Sequence, residues 1–308
     1  SLLTSLFALV VALRIYGKHT NAAFKMPWII VILAFPVFGL CIYGLFGHKE
    51  AMHKIIRKFE DVDAQLIPLN VQDETILQQL EQEDPLLANQ CHYIWKYGNY
   101  PVYDTTAVKF YPEAYLGYEE QLKELEKAKH FIFLEYHAVE EAEAFARLKD
   151  VLARKAAEGV EVRILYDDVG CIGFLDKSFI DRMNAIGVQC RVFNYVVPFL
   201  NIFMNNRDHR KIMVIDGKVG FTGGYNLADE YFNITHPYGY WKDTGVKLTG
   251  RAVQNFTMMF LEMWNVDSTS GYEEYGKYLG YSREVSELKM DGYVIPFGDS
   301  PLDNQAIG

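Results

Sequence analysis

The chain has 308 residues, with 40 acidic against 30 basic and a net charge of −10, and its pI is near 5.3. That balance argues against nonspecific nucleic-acid binding, which needs a basic footprint. The four cysteines, Cys41, Cys91, Cys171 and Cys190, show no C-x-x-C spacing, so neither a disulfide framework nor a zinc site is expected.

Ser1 to Leu13 is apolar but short for a membrane span, and it reads as the tail of a helix that starts upstream. Pro27 to Gly47 is an apolar run of about 20 residues without a charge, the length of a bilayer core. Trp28 and Tyr43 sit near its ends, as interface aromatics do, and Pro36 predicts a kink. Residues 1–47 are therefore expected to be membrane-spanning. Arg14, Lys18 and Lys25 flank this run on one side, and Lys49, Lys54, Arg57 and Lys58 on the other. The excess of one places the following globular part on the cytoplasmic face. His48 to Lys58 has the character of a basic helix able to lie on anionic headgroups. Residues 48–98 read as a juxtamembrane connector with little signal.

A globular domain is expected over 99–290. Helical patterns at Tyr115–Lys129, Glu141–Glu158 and Lys177–Ile186 alternate with strands at His130–His137, Val160–Tyr166 and Gln189–Phe193. Such alternation predicts an α/β fold, a mixed but mainly parallel sheet flanked by helices. Glu135, Asp167 and Asp168 fall at strand ends, where such sheets place ligands. Strands at Lys211–Ile215 and Val219–Thr222 follow, joined by Asp216-Gly217, a strong hairpin signal. Arg251–Trp264 reads as a helix whose Phe256, Met259, Phe260 and Met263 belong to the core.

The densest chemistry lies at His209-Arg210-Lys211, which with Asp216, Gly223-Gly224 and Asn226 forms the pattern H-x-K-x4-D-x6-G-G-x-N. An unprotonated imidazole at His209 can attack phosphorus, and the ammonium of Lys211, two residues on and on the same strand face, can neutralise phosphate oxygens. The glycines permit close backbone approach and offer amides to an anion, and Asn226 adds a donor. A nucleophilic histidine needs its second nitrogen held, and Asp243 is the candidate carboxylate. Asp216 is a hairpin residue whatever the function. Arg207, Arg210, Lys211 and Lys218 would supply local positive charge on an acidic protein.

With those residues in view, the stretch resembles the HKD motif of the phospholipase D superfamily, and more narrowly the bacterial cardiolipin synthases. The likeness extends to Pro36-Val37-Phe38-Gly39, Phe131 to Tyr136, Gly159 to Asp167, Asn205 to Glu230, Trp241 to Val246 and Met259 to Asn265. It implies a phospholipase D-like fold at a bacterial plasma membrane. The implied reaction joins two phosphatidylglycerol molecules into cardiolipin and glycerol through a phosphatidyl-histidine, without metal or organic cofactor. His209, Lys211 and Asp216 would be the catalytic set, Asp243, Asn226, Gly223 and Gly224 its support, and Glu135, Arg207 and Arg210 weaker candidates. The apolar loop Val196 to Met204 would contact acyl chains or be buried. The family carries two such motifs, and one is present here. Residues 291–308 resemble the start of a second half, so the chain is expected to need that half or a homodimer partner. A single-motif phosphodiesterase or nuclease acting as a dimer, and an inert membrane-binding half-domain, remain alternatives.

Overall fold

The computed structural model describes residues 2–18, 22–46, 50–195, 207–266, 275–281, 290, 292–300 and 302. The chain divides into two compact units, Ser1–Ile55 and Ile56–Gly308.

The first unit contains α1 (Leu2–Tyr16), α2 (Ala22–Ala34) and α3 (Pro36–Phe46). The run expected to be one span is thus two helices, broken at Phe35. Inside a helix, proline removes a hydrogen bond and clashes with the carbonyl four residues earlier, whereas at a first helical position it is tolerated. The chain reverses there. The Trp28 and Tyr43 rings meet edge-to-face at 5.4 Å, and a Cβ on Gly39 would lie 2.6 Å from the Ile32 Cα. Among the described residues no helix is long and apolar enough to cross a membrane. Helix α4 (Glu50–Leu66) follows.

The second unit shows that the expected connector is helical, with α5 (Glu74–Glu83) and α6 (Pro85–Gly98). Asp73 caps the first through the Thr75 amide, and Asp84 caps the second through the amides of Leu86 and Leu87. Together they bury Ile76, Leu77 and Leu80 with Ala88, Cys91 and Val102.

Beyond them come β1 (Thr106–Tyr111), α7 (Ala114–Leu125), β2 (Phe131–Tyr136), α8 (Glu143–Ala157), β3 (Glu161–Asp167), α9 (Phe179–Ala185) and β4 (Val188–Phe193). Then follow β5 (Lys211–Ile215), β6 (Val219–Gly223), β7 (Gly245–Gly250), α10 (Val253–Val266) and α11 (Gly276–Leu279). The strands form one sheet in the order β1-β7-β6-β5-β2-β3-β4. Only β2–β3 and β3–β4 are parallel, and the other four pairings are antiparallel. The sheet is mixed as expected but not mainly parallel. Helices α8 and α9 return the chain for parallel pairing, whereas the Asp216-Gly217 hairpin forces β6 antiparallel to β5.

One face of the sheet packs Ile132, Leu134, Tyr136, Met213 and Phe221 against Tyr118 of α7, Phe145 of α8 and Phe179 of α9. On α10, Phe256, Met259, Phe260 and Met263 are all buried, and Phe260 stacks on Phe133 with ring centres 4.5 Å apart. Near the C-terminus, Val294 bridges to Tyr103 and Asn255 donates to the Pro296 carbonyl at 2.8 Å. The apolar loop 196–204 lies outside the described residues.

Candidate active site

Strand β5 runs antiparallel to β2 with Lys211 opposite Tyr136. This register brings the residues before β5 to the ends of β2 and β3, the edge where ligands were expected. Asp208 is the anchor there. It is fully buried. Its amide donates to Asp167 Oδ2 at 3.0 Å, its Oδ1 accepts from the Arg210 amide at 3.1 Å, and its carbonyl accepts from His137 Nδ1 at 2.8 Å. A residue held on three sides presents its neighbour, and His209 is exposed.

The His209 ring lies 4.8 Å from the His137 ring, tilted by 55°. A carbonyl only accepts hydrogen bonds, so His137 Nδ1 carries the hydrogen and Nε2 is its basic nitrogen. Lys211 is buried and its Nζ donates back to the His209 carbonyl at 2.8 Å. Burial pulls this ammonium down to about 8, against the opposing pull of Asp208 and Asp243. His209 is held below the usual histidine value, first by burial, then by the charges of Lys211 and His137. The site thus pairs an accessible neutral imidazole with a cation.

Beneath it lies a buried ionic layer. Arg210 Nε donates to Glu135 Oε1 at 2.5 Å and an Arg210 Nη to the Met259 carbonyl at 2.8 Å. Arg207 pairs with Asp167 at 3.3 Å. Glu135 is fully buried, and its carboxyl is raised well above the usual range by burial, opposed by Arg210 and reinforced by Asp208. Among the described residues neither Glu135 Oε2 nor Asp208 Oδ2 has a hydrogen-bond donor, and the proximity of Asp208 adds to the cost of a charge on Glu135. Glu135, Arg207 and Arg210 therefore support the site from below. The expected cationic surface is corrected accordingly: the two arginines are part-buried and engaged in ion pairs, and Lys218 stands at the distal hairpin, 5.9 Å from the Tyr281 ring.

The glycines serve a different purpose from the one expected. The Gly224 amide donates to the Thr244 carbonyl at 3.2 Å, so it is not an open anion site. A Cβ on Gly224 would lie 2.2 Å from Asp243 Oδ1, and one on Gly223 2.6 Å from the Thr244 carbonyl oxygen. These residues are glycine so that Asp243 and β7 can close on β6. Asp243 accepts from the Thr244 amide at 2.8 Å. Among the described residues no hydrogen bond joins it to His209, and its field acts on Lys211. Asn226 accepts from the Ala138 amide at 3.1 Å and donates to the Tyr231 hydroxyl at 3.0 Å, which ties the segment after β2 to the turn after β6.

Asp216 is not brought to the site. It sits in the hairpin at the opposite end of β5, at φ +51°. Its carboxylate accepts from the amides of Lys129, His130 and Phe131 at 2.8, 2.7 and 2.9 Å. As a member of the catalytic set it is corrected to an anchor for the start of β2. Two residues at the site escaped the sequence reading, Asp208 and His137. The first was legible as a carboxylate directly before His209. The second carried only its place at the end of a predicted strand.

Residues 122–264 match the family described as "Cardiolipin synthase, PLD-like domain", and residues 4–48 match "Phospholipase_D-nuclease N-terminal". Residues 122–264 thus carry a phospholipase D-like domain. A Streptococcus mutans protein is 39% identical over 284 residues, covering 92% of this chain and 60% of that protein. A cardiolipin synthase of Alkalihalophilus pseudofirmus is 35% identical over 310 residues, covering 98% of this chain and 59% of that enzyme. The chain thus spans about three fifths of the length of these relatives. Among solved structures, a phospholipase D family member, Nuc from Salmonella typhimurium, is similar at 16% identity with a TM-score of 0.39, covering 52% of this chain and 95% of that one.

Proposed function

We propose that the chain supplies the His209 half of a membrane-associated phosphatidyltransferase of the cardiolipin synthase type, acting on phosphatidylglycerol. The observation that carries this reading is an exposed His209 imidazole, held neutral beside the buried Lys211 ammonium and the second imidazole of His137. Cardiolipin synthases among the curated relatives supply the substrate class. In this reading a His209 nitrogen attacks the phosphodiester of one phosphatidylglycerol. The P–N bond forms, the P–O bond to glycerol breaks, and glycerol leaves with a proton from a general acid. The hydroxyl of a second lipid then attacks phosphorus, gives up its proton to the conjugate base, and the P–N bond breaks. Splitting one displacement into two is the gain of covalent catalysis. Two protons of Lys211 not used on the His209 carbonyl suit the equatorial oxygens. His137 Nε2 is a proton carrier within this chain, and the remaining length of the relatives has room for another.

The test is a phosphatidylglycerol vesicle assay with EDTA, read by mass spectrometry. Cardiolipin and glycerol are the expected products. Phosphatidic acid would make the chain a hydrolase, and cleavage of DNA instead of lipid would overturn the reading.

The pH profile of kcat/KM should be a bell. Activity rises as His209 loses its proton, which occurs below the usual histidine pKa because the folded state disfavours the cation. It falls as Lys211 loses its proton near 8. Lys211→Arg removes the alkaline limb, since guanidinium keeps its charge; an unchanged limb would assign it elsewhere. Gly224→Ala drives a methyl into the Asp243 carboxylate. It should lower turnover at least tenfold while costing about 1–3 kcal/mol in a melting experiment, the usual range for overpacking.

A further inference from the structure

The first unit has a polarity along its axis. Neither 2–13 nor 26–46 contains a charged residue. At one end Lys25 donates to the carbonyls of Tyr16 and Lys18, and Lys18 donates to the Tyr43 hydroxyl at 3.3 Å. The C-terminal end of α1, the N-terminal end of α2 and the C-terminal end of α3 therefore gather with their cations, hydroxyls and the Trp28–Tyr43 pair. At the other end the turn exposes Phe35, Val37 and Phe38, at 64%, 65% and 63% of their surface. A soluble protein rarely leaves such a contiguous apolar tip in water.

The arms are short. At 1.5 Å per residue α2 and α3 reach about 20 and 17 Å, whereas the hydrocarbon core is about 30 Å thick. The reversal pairs part of its own backbone. Pro36 has no amide to leave unpaired, the Phe35 amide donates to the Val31 carbonyl, and the Gly39 amide donates to the Phe35 carbonyl. Gly39 lets the two backbones touch, as small residues do between helices in lipid.

We infer that α2 and α3 form a re-entrant hairpin that enters one leaflet of a bilayer, buries Phe35–Phe38 in its hydrocarbon short of the far face, and returns to the face it came from. The Lys18, Lys25, Trp28 and Tyr43 end sits at the headgroups, where aromatic and cationic side chains are stable. The segments before α2 and after α3 then lie on the same side. This inference rests on the membrane association in the proposed function and replaces a crossing by an insertion.

The test uses the whole protein in bacterial membranes, with its native cysteines changed to serine and single cysteines introduced as Lys18→Cys, Val37→Cys and Glu50→Cys. A membrane-impermeant maleimide is applied to spheroplasts and to inside-out vesicles. Lys18→Cys and Glu50→Cys should label from the same face, and Val37→Cys from neither. Labelling of the first two from opposite faces, with the protein still resistant to alkaline carbonate, overturns the hairpin and leaves membrane association intact. Release by carbonate overturns both. Gly39→Leu, which forces the arms apart, should weaken carbonate resistance without moving either label across the membrane.

Discussion

His209→Ala is expected to lower phosphatidyl transfer by on the order of 10⁴-fold or more, the scale seen when a covalent nucleophile is removed. Four decades correspond to about 5.5 kcal/mol of transition-state stabilisation. The loss should leave the fold untouched. His209 is exposed, and among the described residues its imidazole makes no hydrogen bond, so the melting temperature should move by no more than a surface substitution does. An acid-quenched mass of the wild-type protein should show a phosphatidyl adduct on His209, absent in the variant. The His137 Nδ1 is held by the Asp208 carbonyl and its Nε2 is basic, so the absence of any adduct in His209→Ala is what separates the two imidazoles as nucleophiles. The contrast is His137→Asn, which keeps a donor for that carbonyl. It should retain the adduct and move the acid limb of the pH profile upward, since the neighbouring charge that depresses His209 is gone. Full transfer by His209→Ala would end the covalent reading.

Much of the second unit was legible because its signals are local. The hairpin of β5 and β6 falls where Asp216-Gly217 placed it, and α7, α8, α9 and α10 lie within a few residues of their periodic patterns. The failures came where long-range pairing decides. Nothing in Lys211–Ile215 says that β5 docks antiparallel on β2, yet that contact fixes the sheet and carries His209 to the edge. The α5–α6 segment is polar on average and becomes helical because its few apolar residues meet each other and Val102. The apolar run 27–47 had the right length for a span, and a reversal at one proline redirected it. The glycines show the same limit. Their spacing suggested an anion cradle, but only the tertiary contact with Asp243 shows that the space is taken.

Asp216 is where the motif's third residue and the site part company, and its replacement is expected to have the largest effect on stability. Its carboxylate, 8% exposed, holds three consecutive amides at the start of β2 while its own backbone is left-handed. A hydrogen bond to a charged group contributes about 1.5–3 kcal/mol, and a buried amide left without a partner costs about 1–3 kcal/mol. Asp216→Ala removes the acceptor of all three and puts alanine where asparagine, aspartate or glycine is preferred. Even with partial rescue by water the loss should be about 4 kcal/mol, or roughly 10 °C in melting temperature for a unit of this size. Asp216→Asn keeps the left-handed preference and one acceptor oxygen, so it should lose about half as much. The discriminating measurement is turnover per folded molecule well below the melting transition. A structural anchor predicts near wild-type turnover for Asp216→Asn. A drop like that of His209→Ala would return Asp216 to the catalytic set, and would mean that the far end of β5 governs the chemistry at its near end.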